Sequence, residues 1–288
     1  MTSTGDGDDM AEGPPGASDG VTDDGVFHAV RDGYEAIYDA LPQGETFNRL
    51  WRDRAYLGEF PLEFAHIGFL TLTEAERMLD LLGVRRGEVL VDLACGAGGP
   101  GLWAAQQSGA SLIGVDPAAP GLAAAKDRAS TTGLEDRARF VQGTFERTGL
   151  PDGVADAAMS IEAFQYAPDK RAATAEFFRI LKPGGRIAIV CFEVDPAKVQ
   201  GLPVLGVDPV DDYAPLLEGA GFAIRVYEET PGWADRVYPT FGALLDARDA
   251  LIAEMGEHAA AGVIAEATLT VATRPYPRRV LIVARRTS

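Results

Sequence analysis

The 288-residue chain is poor in cysteine, histidine and basic residues, and it contains no long apolar run. Each shortage excludes something. Two cysteines, Cys95 and Cys191, make no disulfide framework, and both sit at the ends of apolar runs that read as buried strands. Three scattered histidines, His28, His66 and His258, show no zinc-ligand spacing, so no metal is expected. Lys and Arg total 26 against 43 acids, a formal charge of −17. That balance argues against a nucleic-acid partner, whose phosphates want a basic footprint, and against an anionic membrane surface. No stretch approaches the roughly 18 apolar residues of a membrane span. The first residues have neither the basic nor the apolar part of a signal peptide. The expectation is a cytoplasmic protein with no membrane partner.

What is present falls into blocks. Residues 1–25 hold Asp6, Asp8, Asp9, Glu12, Asp19, Asp23 and Asp24 with no base, and Gly, Pro, Ser and Thr fill most of the rest. Such a stretch buries too little apolar surface to offset its ordering entropy, which predicts a disordered acidic tail. Residues 26–82 read as helices: Val26 to Leu41, Phe47 to Leu57, and a third opened by a capping-box pattern at Thr73-x-x-Glu76 and closed at Gly83.

From Glu88 onward, short apolar runs alternate with helical stretches. Strands are expected at Val89–Leu93, Ala110–Val115, Arg139–Gln142, Ala155–Ser160, Arg186–Phe192, Phe222–Glu228 and Arg279–Ala284. Helices fall at Pro100–Gln107, Gly121–Thr131, Lys170–Leu181 and Asp211–Gly219. This alternation predicts an α/β fold with a doubly wound, mostly parallel sheet covered on both faces. The span 232–277 is too long for a plain connection and is helical over Phe241–Met255. The expected organisation is a core at 83–231, an inserted helical element at 232–277 and a final core strand at 278–288. The segment 26–82 and the insertion together would form a lid.

Between Asp92 and Gly101 the chain reads D-L-A-C-G-A-G-G-P-G, in which Gly96, Gly98 and Gly101 satisfy G-x-G-x-x-G. The loop follows a strand and opens a helix, the context in which glycines let a ligand approach the backbone. Asp116 ends the next strand and can accept from both hydroxyls of a ribose. Both features suit any adenosine ligand, and such a turn can also serve packing alone. Asp92 discriminates, because a pyrophosphate beside its carboxylate would be repelled while a sulfonium and an amino group would be attracted. S-adenosylmethionine fits that charge pattern.

The runs V-L-V-D-L-A-C-G-A-G-G-P-G-L-W, G-V-D-P, F-V-Q-G-T-F, L-P-D-G-V-A-D-A-A-M-S-I-E-A-F-Q-Y-A-P-D and L-K-P-G-G-R-I-A-I resemble class I S-adenosylmethionine-dependent methyltransferases. The closer likeness is to small-molecule methyltransferases of bacterial secondary metabolism, such as antibiotic biosynthesis. A-H-I-G-F-L at residues 65–70 is similar to the stretch preceding the core in sterol- and natural-product-type members. The likeness covers roughly residues 60–195. It implies a Rossmann-like seven-stranded sheet. It also implies that Asp92 and the Ala94–Gly98 backbone, including Gly96, hold the methionine and ribose portion. Asp116 would take the ribose hydroxyls and Pro117 the adenine face. Gly143, Thr144 and Phe145 would edge and cover the adenine. The Ser160 or Ile161 carbonyl would meet the amino group. Two positions depart from the family pattern: Ala94 replaces a usual glycine, and Thr144 replaces a usual acid.

Methyl transfer needs the nucleophile held in line with the methyl carbon and sulfur. A base is needed only when the nucleophile must lose a proton. Glu162 is the base candidate at the end of the fourth strand, with cofactor binding or helix capping as its other reading. Tyr166 and Gln165 could orient substrate, and His66 could be base, gate or structural. The expected activity is methylation of N or O on a small-molecule acceptor. The alternative is the same cofactor site serving another reaction, such as cyclisation. A non-catalytic binding subunit and a nicotinamide dehydrogenase are the further alternatives. Oligomeric state is not legible in the sequence.

Overall fold

The computed structural model describes residues 23–202 and 208–288. Up to residue 22 the expected acidic tail lies outside that range. Helix α1 (Asp23–Ala40) takes in the last residues assigned to the tail. Helix growth is cooperative, so the amphipathic stretch that follows carries them along. A short α2 (Glu45–Leu50) runs into a π turn at Trp51–Ala55, and a 3₁₀ turn at Leu62–Phe64 leads to α3 (Leu72–Leu82).

The cap of α3 corrects the sequence reading. Thr71, not Thr73, accepts from the Glu74 amide at 3.2 Å, and the Glu74 carboxylate accepts from the Thr71 amide at 3.1 Å. The run T-L-T-E-A-E offers both registers. Glu74 is favoured because it also receives hydrogen bonds from Arg236 and Arg279.

The core alternates as expected: β1 (Val89–Leu93), α4 (Gly99–Ser108), β2 (Ser111–Asp116), α5 (Ala119–Thr131), β3 (Ala138–Gln142), β4 (Ala155–Ile161), α6 (Lys170–Ile180), β5 (Leu181–Val194), α7 (Ala214–Gly219) and β6 (Phe222–Glu229). Three helices follow, α8 (Trp233–Asp246), α9 (Arg248–Met255) and α10 (Glu257–Ala272), and β7 (Pro277–Arg286) completes the sheet. The insertion is thus more helical than Phe241–Met255. Pro239 inside α8 and the nearly all-apolar α10 blur the period that marks a helix.

The seven strands lie in the order β3-β2-β1-β4-β5-β7-β6. All neighbours are parallel except β7, which is antiparallel to both β5 and β6. Lys182-Pro-Gly-Gly185, which falls between the expected helix and the strand expected from Arg186, is the start of β5. Ala155 faces Leu181 while Ala157 faces Arg186, so the Pro-Gly-Gly residues are absorbed as a bulge.

Side chains alternate across the sheet and build a core on each face. Leu90, Leu112, Met159, Val190 and Leu281 meet the N-terminal elements, α3 and α4, and α8–α10. Val91, Ile113, Ala158, Ile189 and Ile282 meet Phe177 of α6 and Leu217 of α7. Phe47, Trp51, Phe69 and Phe241 stack in a chain with ring centroids 4.9 to 5.9 Å apart. The N-terminal cover and α8 are therefore one packed layer over the carboxyl ends of the strands.

Candidate active site

The site begins at the turn from β1 into α4. Cys95 N donates to Val115 O at 3.0 Å, which ties the turn to β2. Gly96 (φ +50) and Gly98 (φ +75) are left-handed, and so is Ala94 at φ +60. A left-handed alanine is strained, which explains why glycine is the usual residue there. A Cβ on Gly96 would run into the Tyr38 hydroxyl from α1, and one on Gly98 would meet Ala125 of α5 at 3.0 Å. Gly96 therefore keeps the loop surface free, and Gly98 lets α5 approach. Gly98 belongs to the wall of neither cavity described below.

Asp116 at the end of β2 clamps the loop. One oxygen accepts from Gly96 N at 2.7 Å and the other from Ala118 N at 2.8 Å. Each oxygen keeps a further lone pair for a ribose hydroxyl. Burial, opposed by those two amides, pushes Asp116 up to about 6. Asp92 is 2 % exposed, and a Cβ on Gly101 would strike its carboxylate. Burial and the nearby Asp116 push Asp92 up to about 8. Two buried carboxylates that resist ionisation make a place where a cation is welcome and a phosphate is not. Arg128 donates to Ala97 O at 2.6 Å and braces the far side of the turn.

Two adjoining cavities open here, sharing Tyr38, Ile67, Gly68, Ala94 and Ile161 in their walls. Asp92, Gly96, Arg52 and His66 line the cavity beside α2. Asp116, Pro117, Gly143, Thr144 and Phe145 line the other, together with Glu162 and Tyr166. That second cavity continues into an apolar chamber of Phe192, Val210, Trp233, Tyr238 and Phe241. Gly143 needs its missing side chain, because a Cβ would lie 2.8 Å from Thr148 O. Ser160, like Gly98, stands apart from the other expected cofactor residues. It is fully buried with an unpartnered hydroxyl and lines neither cavity, whereas Ile161 lines both.

Both base candidates of the sequence reading have partners within the fold. Glu162 sits at φ +53, strained for a residue with a side chain. One of its oxygens accepts from Arg279 Nε at 2.6 Å and the other from Phe69 N at 2.7 Å. Arg279 is completely buried on β7 and also reaches Glu74 at 3.0 Å and Thr230 at 2.8 Å. Burial alone would lower the Arg279 pKa, but Glu162 and Glu74 hold it above the ordinary arginine value. Bonded to Arg279 through one oxygen and to Phe69 N through the other, Glu162 fixes Phe69 and the end of β4. His66 is held as well. Its Nδ1 accepts from Gly68 N at 3.0 Å, which places the proton on Nε2 for Leu70 O at 3.1 Å. Burial drives His66 down to about 3, so the ring stays neutral.

The carboxylate that sequence reasoning missed is Glu266 of α10. Tyr166 Oη donates to its Oε1 at 3.3 Å and Tyr34 Oη of α1 to its Oε2 at 3.4 Å. All three line the apolar chamber's cavity. Burial pushes Glu266 up to about 7, against the pull of the two tyrosines. The available signal was a lone acid inside the apolar run A-A-A-G-V-I-A-E-A-T-L-T-V-A. Among the described residues no group of His, Cys, Asp and Glu could hold a metal.

Residues 91–189 match a methyltransferase domain family. The fold is the one shared with class I S-adenosylmethionine-dependent methyltransferases, and the chain is a methyltransferase with S-adenosylmethionine as its cofactor. Among curated proteins it is 28% identical over 260 residues to methyltransferase GfsG of Streptomyces halstedii, covering 86% of this chain and 90% of that one. It is 27% identical over 217 residues to 27-O-demethylrifamycin SV methyltransferase of Amycolatopsis mediterranei, covering 70% and 78%. Among solved structures, the [4+2]-cyclase SpnF aligns with a TM-score of 0.73 at 20% identity, over 90% of this chain and 95% of that one. Geranyl diphosphate C-methyltransferase from Streptomyces coelicolor, solved with S-adenosylhomocysteine, aligns at 0.59 and 20% identity, over 88% and 98%. At those identities the structural likeness speaks for the fold alone.

Proposed function

We propose that the chain transfers the methyl group of S-adenosylmethionine to N or O of a small, largely apolar natural-product acceptor. The carrying observation is the single cavity that runs from Asp116, Pro117 and Phe145 into the chamber of Phe192, Trp233, Tyr238 and Phe241. Apolar walls with few polar groups suit a hydrophobic small molecule. The resemblance of sequence to GfsG and to the rifamycin methyltransferase supports an acceptor of secondary metabolism.

When bound, the cofactor supplies an already activated methyl group, so the protein's work is placement. Asp116 would hold the ribose hydroxyls, with Pro117, Gly143, Thr144 and Phe145 around the adenine. Asp92 and the Ala94–Gly96 backbone would face the methionine portion, and the Ile161 carbonyl its amino group. The aromatic layer of Trp51, Phe69 and Phe241 excludes water from the reacting centre. Cys95 and Cys191 are free and buried, which suits a reducing cytoplasm, and no described helix is long and apolar enough to cross a membrane. The formal net charge of −17 favours a neutral or cationic acceptor over nucleic acid.

The test uses the full chain with methyl-deuterated S-adenosylmethionine and a panel of O- and N-demethylated polyketides. The expected result is S-adenosylhomocysteine and a product heavier by one labelled methyl. A rearranged product of unchanged mass, with the donor intact, would favour the cyclising alternative instead.

A further inference from the structure

Three residues from three separate elements converge on one wall of the apolar chamber. Glu266 comes from α10, Tyr34 from α1 and Tyr166 from the turn after β4. None of them belongs to the expected cofactor contacts. The ion pairs of the described residues do not include Glu266, unlike Glu162 and Glu74, which share Arg279. The tyrosine contacts are long, at 3.3 and 3.4 Å, so the carboxylate has room for one more donor. A path of rings links the cluster to the glycine loop: Tyr166 packs on Tyr34 at 6.1 Å, Tyr34 on Tyr38 at 6.2 Å, and Tyr38 covers Gly96.

We infer that Glu266, flanked by the hydroxyls of Tyr34 and Tyr166, accepts the proton of an acceptor hydroxyl, which makes the substrate an alcohol or phenol and the product an ether. This rests on the methyl-transfer reading and narrows it from N or O to O. An amine is disfavoured by the same geometry. A carboxylate beside it would stabilise the ammonium form, which has no lone pair for attack. An apolar hydroxyl has the opposite need, because it becomes a competent nucleophile only as its proton leaves. In the reaction the acceptor oxygen bonds to the methyl carbon. The carbon–sulfur bond breaks with its electron pair remaining on sulfur. The hydroxyl proton passes to Glu266 and then to water.

The protonation states agree with that assignment. Burial holds Tyr34 and Tyr166 well above the ordinary tyrosine value, so they stay donors. Glu266, at about 7, is the member of the cluster that changes charge near neutrality. The groups facing it are Tyr34 from α1, Tyr166 from the turn after β4 and, through space, Glu162, which Arg279 neutralises.

The probes are 4-butylphenol and 4-butylbenzylamine, with S-adenosylmethionine and the full chain, followed by mass spectrometry and release of S-adenosylhomocysteine. The expected product is the aryl methyl ether, formed at a rate that rises with pH up to an apparent pKa near 7 and is level above it. Glu266→Gln should lower kcat at least about 100-fold, abolish that break and leave S-adenosylhomocysteine affinity within about twofold. Glu266→Asp should recover part of the rate. The wild-type pH profile needs no variant and stands if Glu266→Gln misfolds. Methyl transfer to the benzylamine nitrogen alone, or undiminished ether formation by Glu266→Gln, overturns the inference while the methyltransferase reading survives. A wild-type chain that binds donor but forms no ether also counts against it. Failure to bind S-adenosylhomocysteine at all would instead defeat the cofactor reading beneath it.

Discussion

Replacing Arg279 by Met tests the buried junction that holds the cover onto the sheet. Arg279 has no solvent exposure, and its methionine substitute fills similar space. The variant leaves Glu162, 8 % exposed, without a cation, and Glu74, 14 % exposed, with Arg236 and the Thr71 amide. Most of the cost should therefore fall on Glu162. Removing one partner of a buried pair costs about 3–5 kcal/mol, because an uncompensated charge stays behind. At roughly 2–4 °C per kcal/mol for a domain of this size, Tm should fall by roughly 6–20 °C. Urea unfolding followed by tryptophan fluorescence measures the loss. The double variant Arg279→Met with Glu162→Gln should be more stable than Arg279→Met alone, with a coupling of about 2 kcal/mol or more. A loss under about 1 kcal/mol, as for an exposed pair, or strict additivity of the two changes, would refute the buried-junction argument.

Further outcomes concern the cofactor cradle. Asp116→Ala removes a charged acceptor from Gly96 N and from any ribose hydroxyl, so calorimetry should show S-adenosylhomocysteine affinity reduced about 100-fold, at about 1.5–3 kcal/mol per charge-assisted bond. Gly96→Ala places a methyl group against Tyr38 at a left-handed position and should lower both donor affinity and Tm; unchanged values would mean Tyr38 yields freely. Asp116, Glu266 and Asp92 carry folded values of about 6, 7 and 8, all raised by burial. Between the ordinary carboxylate value near 4 and those values the folded state binds more protons than the unfolded one, so stability of the ligand-free protein falls as pH rises through that window. Melting between pH 5 and 8 should show the decline, and Asp92→Asn should flatten it. A Tm that rises over that range would contradict the sign.

The local signals were readable because each had a local cause. The alternation of Val89–Leu93, Ala155–Ile161 and their neighbours with helices exposed a doubly wound sheet, and D-L-A-C-G-A-G-G carried its left-handed turn in its glycines. The antiparallel course of β7 was not readable, since strand direction depends on what the strand pairs with. Glu162 looked like a free carboxylate because nothing near it in sequence announces Arg279, which lies 117 positions away. The same distance effect hid Glu266, whose partners come from Tyr34 and Tyr166, 232 and 100 positions off. The register of T-L-T-E-A-E was settled by arginines on α8 and β7 rather than by the helix itself.

Helix α1 leans on the glycine loop through Tyr38 and, one turn earlier, on the Glu266 cluster through Tyr34. A rod that forms part of both compartments cannot adjust to one occupant without reshaping the space left for the other. The consequence is reciprocal coupling: an occupant of either compartment should change the affinity of the other by the same factor, which calorimetry run in both orders of addition would measure.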